Sequence, residues 1–118
     1  MNAISFTKDA LPGYYGDTPA VAAIIAYCHD DDLFKTLSAS EKWGFLTFLT
    51  YWQWNCVDAG AARTNTAISG SFEEFGYELS PTIAALIQIL NDHHANEVDA
   101  HILINALTNQ IQQNIFAV

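Results

Sequence analysis

Positively charged side chains are scarce in this chain. Its 118 residues include four Lys or Arg against 13 Asp or Glu, which gives a formal charge of -9. Four basic residues are about a quarter of the average supply for this length. Proteins that bind DNA, RNA or anionic lipid obtain much of their affinity from Lys and Arg. The composition therefore argues against direct binding to nucleic acid or to a membrane, and it favours a basic protein as the partner.

The few cations are also unevenly distributed along the chain. They are Lys8, Lys35, Lys42 and Arg63, so no cation follows Arg63. Nine of the 13 carboxylates form three groups, which together are the predicted partner-binding residues: Asp30, Asp31 and Asp32; Glu73, Glu74 and Glu78; Asp92, Glu97 and Asp99. If the three groups share one face, the chain can imitate the phosphates of a nucleic-acid backbone.

Cysteines and long apolar runs are scarce as well. Cys28 and Cys56 lie in separate apolar segments rather than in a paired spacing, which favours buried thiols in a reducing compartment over a disulfide. No apolar run reaches the roughly 20 residues that a membrane helix needs. The residues from Met1 to Ala10 also lack the apolar segment of a signal peptide. We therefore expect a soluble, cytoplasmic protein.

Signatures of catalysis are absent too. The chain has no glycine-rich dinucleotide or P-loop motif, no G-x-S-x-G elbow and no H-E-x-x-H pair. It is therefore predicted to be non-enzymatic, without a cofactor. One cluster keeps a metal site open, namely His93, His94, Glu97 and His101. On a continuous helix the last three of these would share a face and could bind zinc or iron, but Ala95-Asn96 is expected to break the helix.

Cap signals predict where the helices begin. Thr18-Pro19 and Ser80-Pro81 each combine an N-cap with a proline at the first helical position, and apolar spacing extends these helices to about His29 and His93. Asp30 to Asp32 suit the start of a second, short helix. Three more starts are predicted: at Ser38 with Glu41, at Ser71 for a helix through Leu79, and at Asn96 with Asp99. The last helix is predicted to bury Ala100, Leu103, Ile104, Leu107, Ile111 and Ile115.

The segment from Lys42 to Val57 is predicted to be the central helix. Its apolar residues point in nearly every direction around a helical axis, which is typical of a helix that other helices surround. Trp43, Trp52 and Trp54 are therefore expected in the core, with Trp54 the most open to exposure. The sequence predicts an all-α compact bundle of about five or six helices around this aromatic-rich helix. We expect residues 1–118 to form one domain, with 1–17 as an irregular arm packed on it. The alternative prediction is an α+β fold with a short strand at Ile4 to Thr7.

These features favour a small acidic inhibitor or regulator that binds a basic protein surface. A more specific version of this hypothesis is that the chain is a DNA mimic that occupies the nucleic-acid site of a DNA-binding or nucleoid-associated protein. One alternative is an immunity protein or antitoxin that neutralises a toxin. Another is a helical enzyme that binds a metal or small ligand. A monomer or weak dimer is expected, because a charge of -9 opposes close self-association.

Overall fold

The structure is a computed structural model that describes residues 18–28, 36–59 and 68–116. These residues form five helices and no strand: α1 (Pro19–Tyr27), α2 (Ala39–Ala59), α3 (Ile68–Phe75), α4 (Pro81–Asp92) and α5 (Glu97–Gln112). The prediction of an all-α bundle is confirmed. The N-terminal arm, its possible strand and the short helix predicted at Asp30 to Asp32 lie outside the described residues.

The longest helix, α2, is the centre of the bundle. It packs most extensively against α5 and also contacts α3 and α4, while α1 packs on α4 and α5. From α2 the side chains of Phe45, Phe48, Leu49 and Trp52 enter the core. The other helices contribute Val21, Ile24, Ile68, Ile83, Leu86, Leu90, Leu103 and Leu107. None of the described helices combines the length and the apolar character that a membrane span requires.

The predicted caps are present at four helix starts. Ser38 and Glu41 form a reciprocal capping box, with N···O distances of 3.1 and 3.2 Å. Asn96 and Asp99 form a second capping box at the start of α5. At α1 and α4 the hydroxyl oxygens of Thr18 and Ser80 accept hydrogen bonds from backbone N–H groups of the first turn. These contacts satisfy N–H groups that have no partner within the helix.

Two carboxylates each connect the starts of two helices. Glu41 caps α2 and also accepts the O–H of Ser80 at 2.6 Å, so it ties α2 to α4. Asp99 caps α5 and accepts the O–H of Thr18, so it ties α5 to α1. We call these two contacts the helix-start latches. Both place a negative charge where two helix dipoles present their positive ends, which is favourable.

The ends of α4 and α5 have the same geometry. In each, the chain turns through one left-handed residue, His94 with φ 52° and Asn114 with φ 58°. Backbone N–H groups beyond the turn then bond back to Leu90 and Gln110, both at 2.9 Å. This is the Schellman motif, whose left-handed position is usually glycine. This motif ends α4 and separates it from α5, in agreement with the helix break predicted at Ala95-Asn96.

The bounds of α3 differ from the prediction. Ser71 is not its cap but a buried residue inside the helix, where its hydroxyl oxygen accepts a hydrogen bond from Asn55 Nδ2 at 3.0 Å. The helix begins at Ile68 and ends at Phe75 rather than at Leu79. Gly76 follows with φ 81°, a conformation that glycine adopts readily and that ends the helix.

Replacing Ser80 tests the latch between α2 and α4. We expect Ser80→Ala to lower the free energy of unfolding by about 1 kcal/mol through the lost cap. Hydrogen bonds from Ser80 and then Ser38 hold the pKa of Glu41 below its usual 4.5. The unfolded chain therefore takes up this proton first, and the latch stabilises the fold above pH 4.5 and is lost as the pH falls through the lower folded value. This acid sensitivity should be smaller in Ser80→Ala.

Urea unfolding at several pH values between 3 and 7 measures both effects. Ser40→Ala is the matched control, because Ser40 is exposed on the first turn of α2 and should change stability by less than about 0.5 kcal/mol. Equal acid sensitivity in wild type and Ser80→Ala would contradict the latch.

Replacing His94 tests the left-handed turn after α4. Glycine at this position removes the strain of a side chain at positive φ, so His94→Gly should raise the free energy of unfolding by about 1 kcal/mol. His93→Gly is the matched control, because His93 has φ -98° and gains nothing from glycine. Both variants make the same change to the unfolded chain. The melting temperature should therefore rise in His94→Gly and fall in His93→Gly. A change in the same direction in both variants would contradict the assignment of His94 to the left-handed position.

Candidate partner-binding surface

The predicted carboxylates divide into exposed and internal groups. Asp99 is 6% exposed and its carboxylate belongs to a helix-start latch, so it is unavailable to a partner. The triplet from Asp30 to Asp32 lies outside the described residues. The exposed members are Glu73, Glu74, Glu78, Asp92 and Glu97. These five are the described part of the predicted acidic surface.

The exposed carboxylates lie at opposite ends of α4. Glu73 and Glu74 are on α3, and Glu78 is in the connector just before α4. Asp92 is the last residue of α4, and Glu97 is the first of α5. A helix of 12 residues is about 18 Å long, so α4 separates two groups rather than joining them in one cluster.

Lys42 is the only Lys or Arg among the described residues, and it is buried. Its Nζ donates to Oε1 of Gln110 at 2.7 Å and to the backbone oxygen of Ile115 at 2.5 Å. The ring of Phe116 lies 5.5 Å from Nζ. Burial lowers the Lys42 pKa to about 8. The surface of the described residues consequently carries carboxylates and no Lys or Arg.

One face of α2 is open to solvent. Trp43, Thr47, Thr50 and Trp54 follow helical spacing along it, and all four are exposed. The expectation that all three tryptophans lie in the core is correct for Trp52 only. Trp43 is 55% exposed and Trp54 67%, because α3, α4 and α5 cover the other sides of α2 and leave this one uncovered. We call these four residues the exposed face of α2.

The threonines on this face add little polarity. The hydroxyl of Thr47 donates to the backbone oxygen of Trp43 at 2.7 Å, and that of Thr50 donates to the backbone oxygen of Thr47 at 2.9 Å. Their O–H donors are therefore engaged within the helix. The exposed face of α2 is uncharged and offers a partner mainly methyl and indole groups.

An aromatic groove runs beside this face. It consists of two adjoining pockets of about 370 and 440 Å³, which share Thr47, Phe75 and Tyr77. The ring of Phe75 meets those of Phe48 and Tyr77 edge to face, at centroid distances of 5.5 and 5.3 Å, so the groove floor continues into the core. Glu78 lines the first pocket and Trp54 the second. We call this feature the aromatic groove.

A close approach at Gly44 shapes the first pocket. A Cβ atom at this position would lie 3.3 Å from Cδ2 of Leu79, which is tighter than ordinary contact. Glycine thus lets the connector before α4 lie against α2. The sequence prediction missed Tyr77 and both threonines of this surface. The signal was present, because Thr47 and Thr50 share helical spacing with Trp43 and Trp54.

The histidine cluster is divided by the turn between α4 and α5. His94 occupies the left-handed position of the α4 terminus, whereas Glu97 and His101 lie on α5. These three residues therefore do not share the continuous helix that the metal hypothesis required. Among the described residues, no group of three His, Cys, Asp or Glu side chains is placed to hold a metal ion.

Known proteins supply no family for this chain. No family model matches it, and the curated proteins and the solved structures likewise contain no significant match.

Lys42 provides a test of the electrostatics beneath this surface. Between pH 8 and 10.5 the unfolded chain binds more protons than the folded chain, because burial lowers the pKa of Lys42 from 10.5 to about 8. The cost of the buried charge is thus removed as the pH rises. Relative to Lys42→Met, the wild type should gain up to about 1.4 kcal/mol of stability per pH unit in this range.

Urea unfolding of both proteins at pH 7, 8, 9 and 10 measures the effect. The difference between the two proteins isolates Lys42, because other groups titrate alike in both. A difference that stays constant from pH 7 to 10 would show that Lys42 is not held in a desolvated site.

Proposed function

We propose that this chain is a non-enzymatic inhibitor or regulator that binds a basic protein. The supporting observation is the sign of the described surface: it has exposed carboxylates at both ends of α4, while Lys42, its only Lys or Arg, is buried. No surface cation of this region offsets the carboxylates. The whole chain has a formal charge of -9, so its electrostatic complement is positive.

The positions of the exposed carboxylates affect which kind of basic partner the chain can bind. A DNA-binding protein that contacts 6–10 phosphates loses much affinity as salt rises, and a DNA mimic must offer comparable contacts. The two exposed groups, about 18 Å apart along α4, suit two separate contacts with basic patches. A more specific form of the proposal is DNA mimicry, with a DNA-binding or nucleoid-associated protein as the partner. The separation of the two groups does not by itself favour this form, because mimicry requires the carboxylates on one face.

The aromatic groove favours a second candidate, an immunity protein or antitoxin. Trp and Tyr are enriched among the residues that dominate protein–protein affinity, and Trp54 and Tyr77 are both exposed here. Such an interface would depend on aromatic anchors as well as on charge. It would therefore resist salt better than a DNA mimic.

Displacement of DNA tests the proposal. Purified nucleoid-associated proteins are loaded with a fluorescent DNA duplex, and the chain is titrated in at 50 mM salt. We expect it to release the duplex from at least one of these proteins, with affinity falling at least tenfold at 0.5 M salt, because exposed charges are screened over roughly 8 Å or less. The triple variant Glu73→Gln, Glu74→Gln, Glu78→Gln should weaken release at least tenfold.

A second variant and a control make the outcome specific. Asp92→Asn with Glu97→Gln neutralises the group at the other end of α4 and should also weaken release, whereas the control Gln112→Ala changes an exposed residue without altering charge. Failure to associate at low salt, or release that survives 0.5 M salt unchanged, overturns the DNA-mimic form. Rescue of growth by co-expression with one nuclease toxin, without DNA displacement, identifies the immunity function instead.

A further inference from the structure

We infer that the aromatic groove binds a cationic amphipathic helix of the partner protein. This inference rests on the proposed function and names the element of the partner that is recognised. Three observations carry it: the length and shape of the groove, the chemistry of its walls, and the carboxylates beside it.

The groove has the dimensions of a helix-binding site. Its lining follows α2 from Ser40 to Trp54, a distance of about 21 Å at the rise of an α-helix. A helix of about 14 residues has the same length. Its apolar side chains, at positions i, i+3, i+4 and i+7, would lie over the floor formed by Phe75 and its aromatic neighbours.

The α2 wall favours a helix over an extended peptide. An extended peptide must pair its backbone N–H and C=O groups with a partner, usually the edge of a sheet. The wall that runs the length of the groove is α2, whose backbone groups within the helix are already hydrogen-bonded; the rest of the lining is Phe75, the connector from Tyr77 to Ser80, and Ile83. The O–H donors of Thr47 and Thr50 are also engaged within α2. An incoming helix satisfies its own backbone and requires only apolar contact here.

The charge of the groove favours a basic incoming helix. The exposed Glu78 lines the groove, as does Glu41, and no Lys or Arg is among the lining residues. Lys or Arg side chains flanking the apolar stripe of the helix can reach these carboxylates, and they can also lie over the rings of Trp54 or Tyr77 as cation–π contacts. A second copy fits poorly, because its described helices expose no Lys or Arg and would bring carboxylates against carboxylates.

Synthetic peptides test this inference by titration calorimetry with the full chain. The probe is a 14-residue peptide of Leu and Lys with Leu at positions i, i+3, i+4 and i+7. One comparison peptide has the same composition in scrambled order, and another replaces every Lys by Glu. We expect the amphipathic Lys peptide to bind at least tenfold more tightly than either comparison peptide.

Variants of the chain locate the binding site. Trp54→Ala and Tyr77→Ala should each weaken binding at least tenfold, while Tyr27→Ala, an exposed tyrosine on α1 outside the groove, should change it less than twofold. Circular dichroism verifies that all three variants remain folded.

The outcomes separate this inference from the proposed function. The groove inference is overturned if the scrambled peptide binds as tightly as the amphipathic one, or if Trp54→Ala and Tyr77→Ala bind the amphipathic peptide as tightly as the wild type. In that case, loss of peptide binding by the triple variant of Glu73, Glu74 and Glu78 would still support a basic partner. Tighter binding of the Glu peptide overturns the basic partner itself. A dimer that Trp54→Ala converts to monomer, measured by sedimentation, assigns the groove to a second copy and overturns the inference.

Discussion

The burial of Lys42 is the contact on which the rest of the described structure depends. Its ammonium group holds the end of α5 against the start of α2 through two neutral oxygen atoms, those of Gln110 and Ile115. The residue before it, Glu41, binds Ser80 at the start of α4. Two consecutive side chains of α2 thus direct two other helices onto it. Because α3, α4 and α5 occupy the other sides of α2, one face of α2 stays open. The burial of Lys42 also removes the only Lys or Arg of the described residues from their surface.

The carboxylates perform two different tasks, and their position in a helix decides which. Glu41 and Asp99 both stand at the third residue of their helices, where a carboxylate can reach back to the cap, and each then accepts a hydroxyl from another helix. Glu73, Glu74 and Glu78 have no such position and stay in solvent. A count of acidic residues therefore overstates the charge available to a partner. The position of each carboxylate in its helix shows whether it is used inside the protein or exposed to solvent.

Sequence predicted the parts of this fold that local contacts determine. The caps at Thr18, Ser80 and Asn96 join residues no more than three positions apart, so their spacing was sufficient. The roles of Lys42 and Asp99 depend on partners 68 and 81 residues away, and no local pattern contains those distances. Gln110 is buried for the same reason, although the predicted apolar stripe of α5 omitted it. The exposure of Trp43 was missed because an all-round apolar helix does not show how many neighbours are available to cover it.

Acidification removes both the net charge of the chain and the charge of the latch at Glu41. The chain has an isoelectric point near pH 4.4, and the hydrogen bond from Ser80 keeps the pKa of Glu41 below 4.5. The net charge of the chain therefore vanishes at a pH where this hydrogen bond still favours the ionised form of Glu41. At that point the repulsion that separates the molecules is gone, yet the folded surface still displays Trp54 and Tyr77. Low net charge promotes association, so acidification brings the exposed rings of neighbouring molecules within reach of one another.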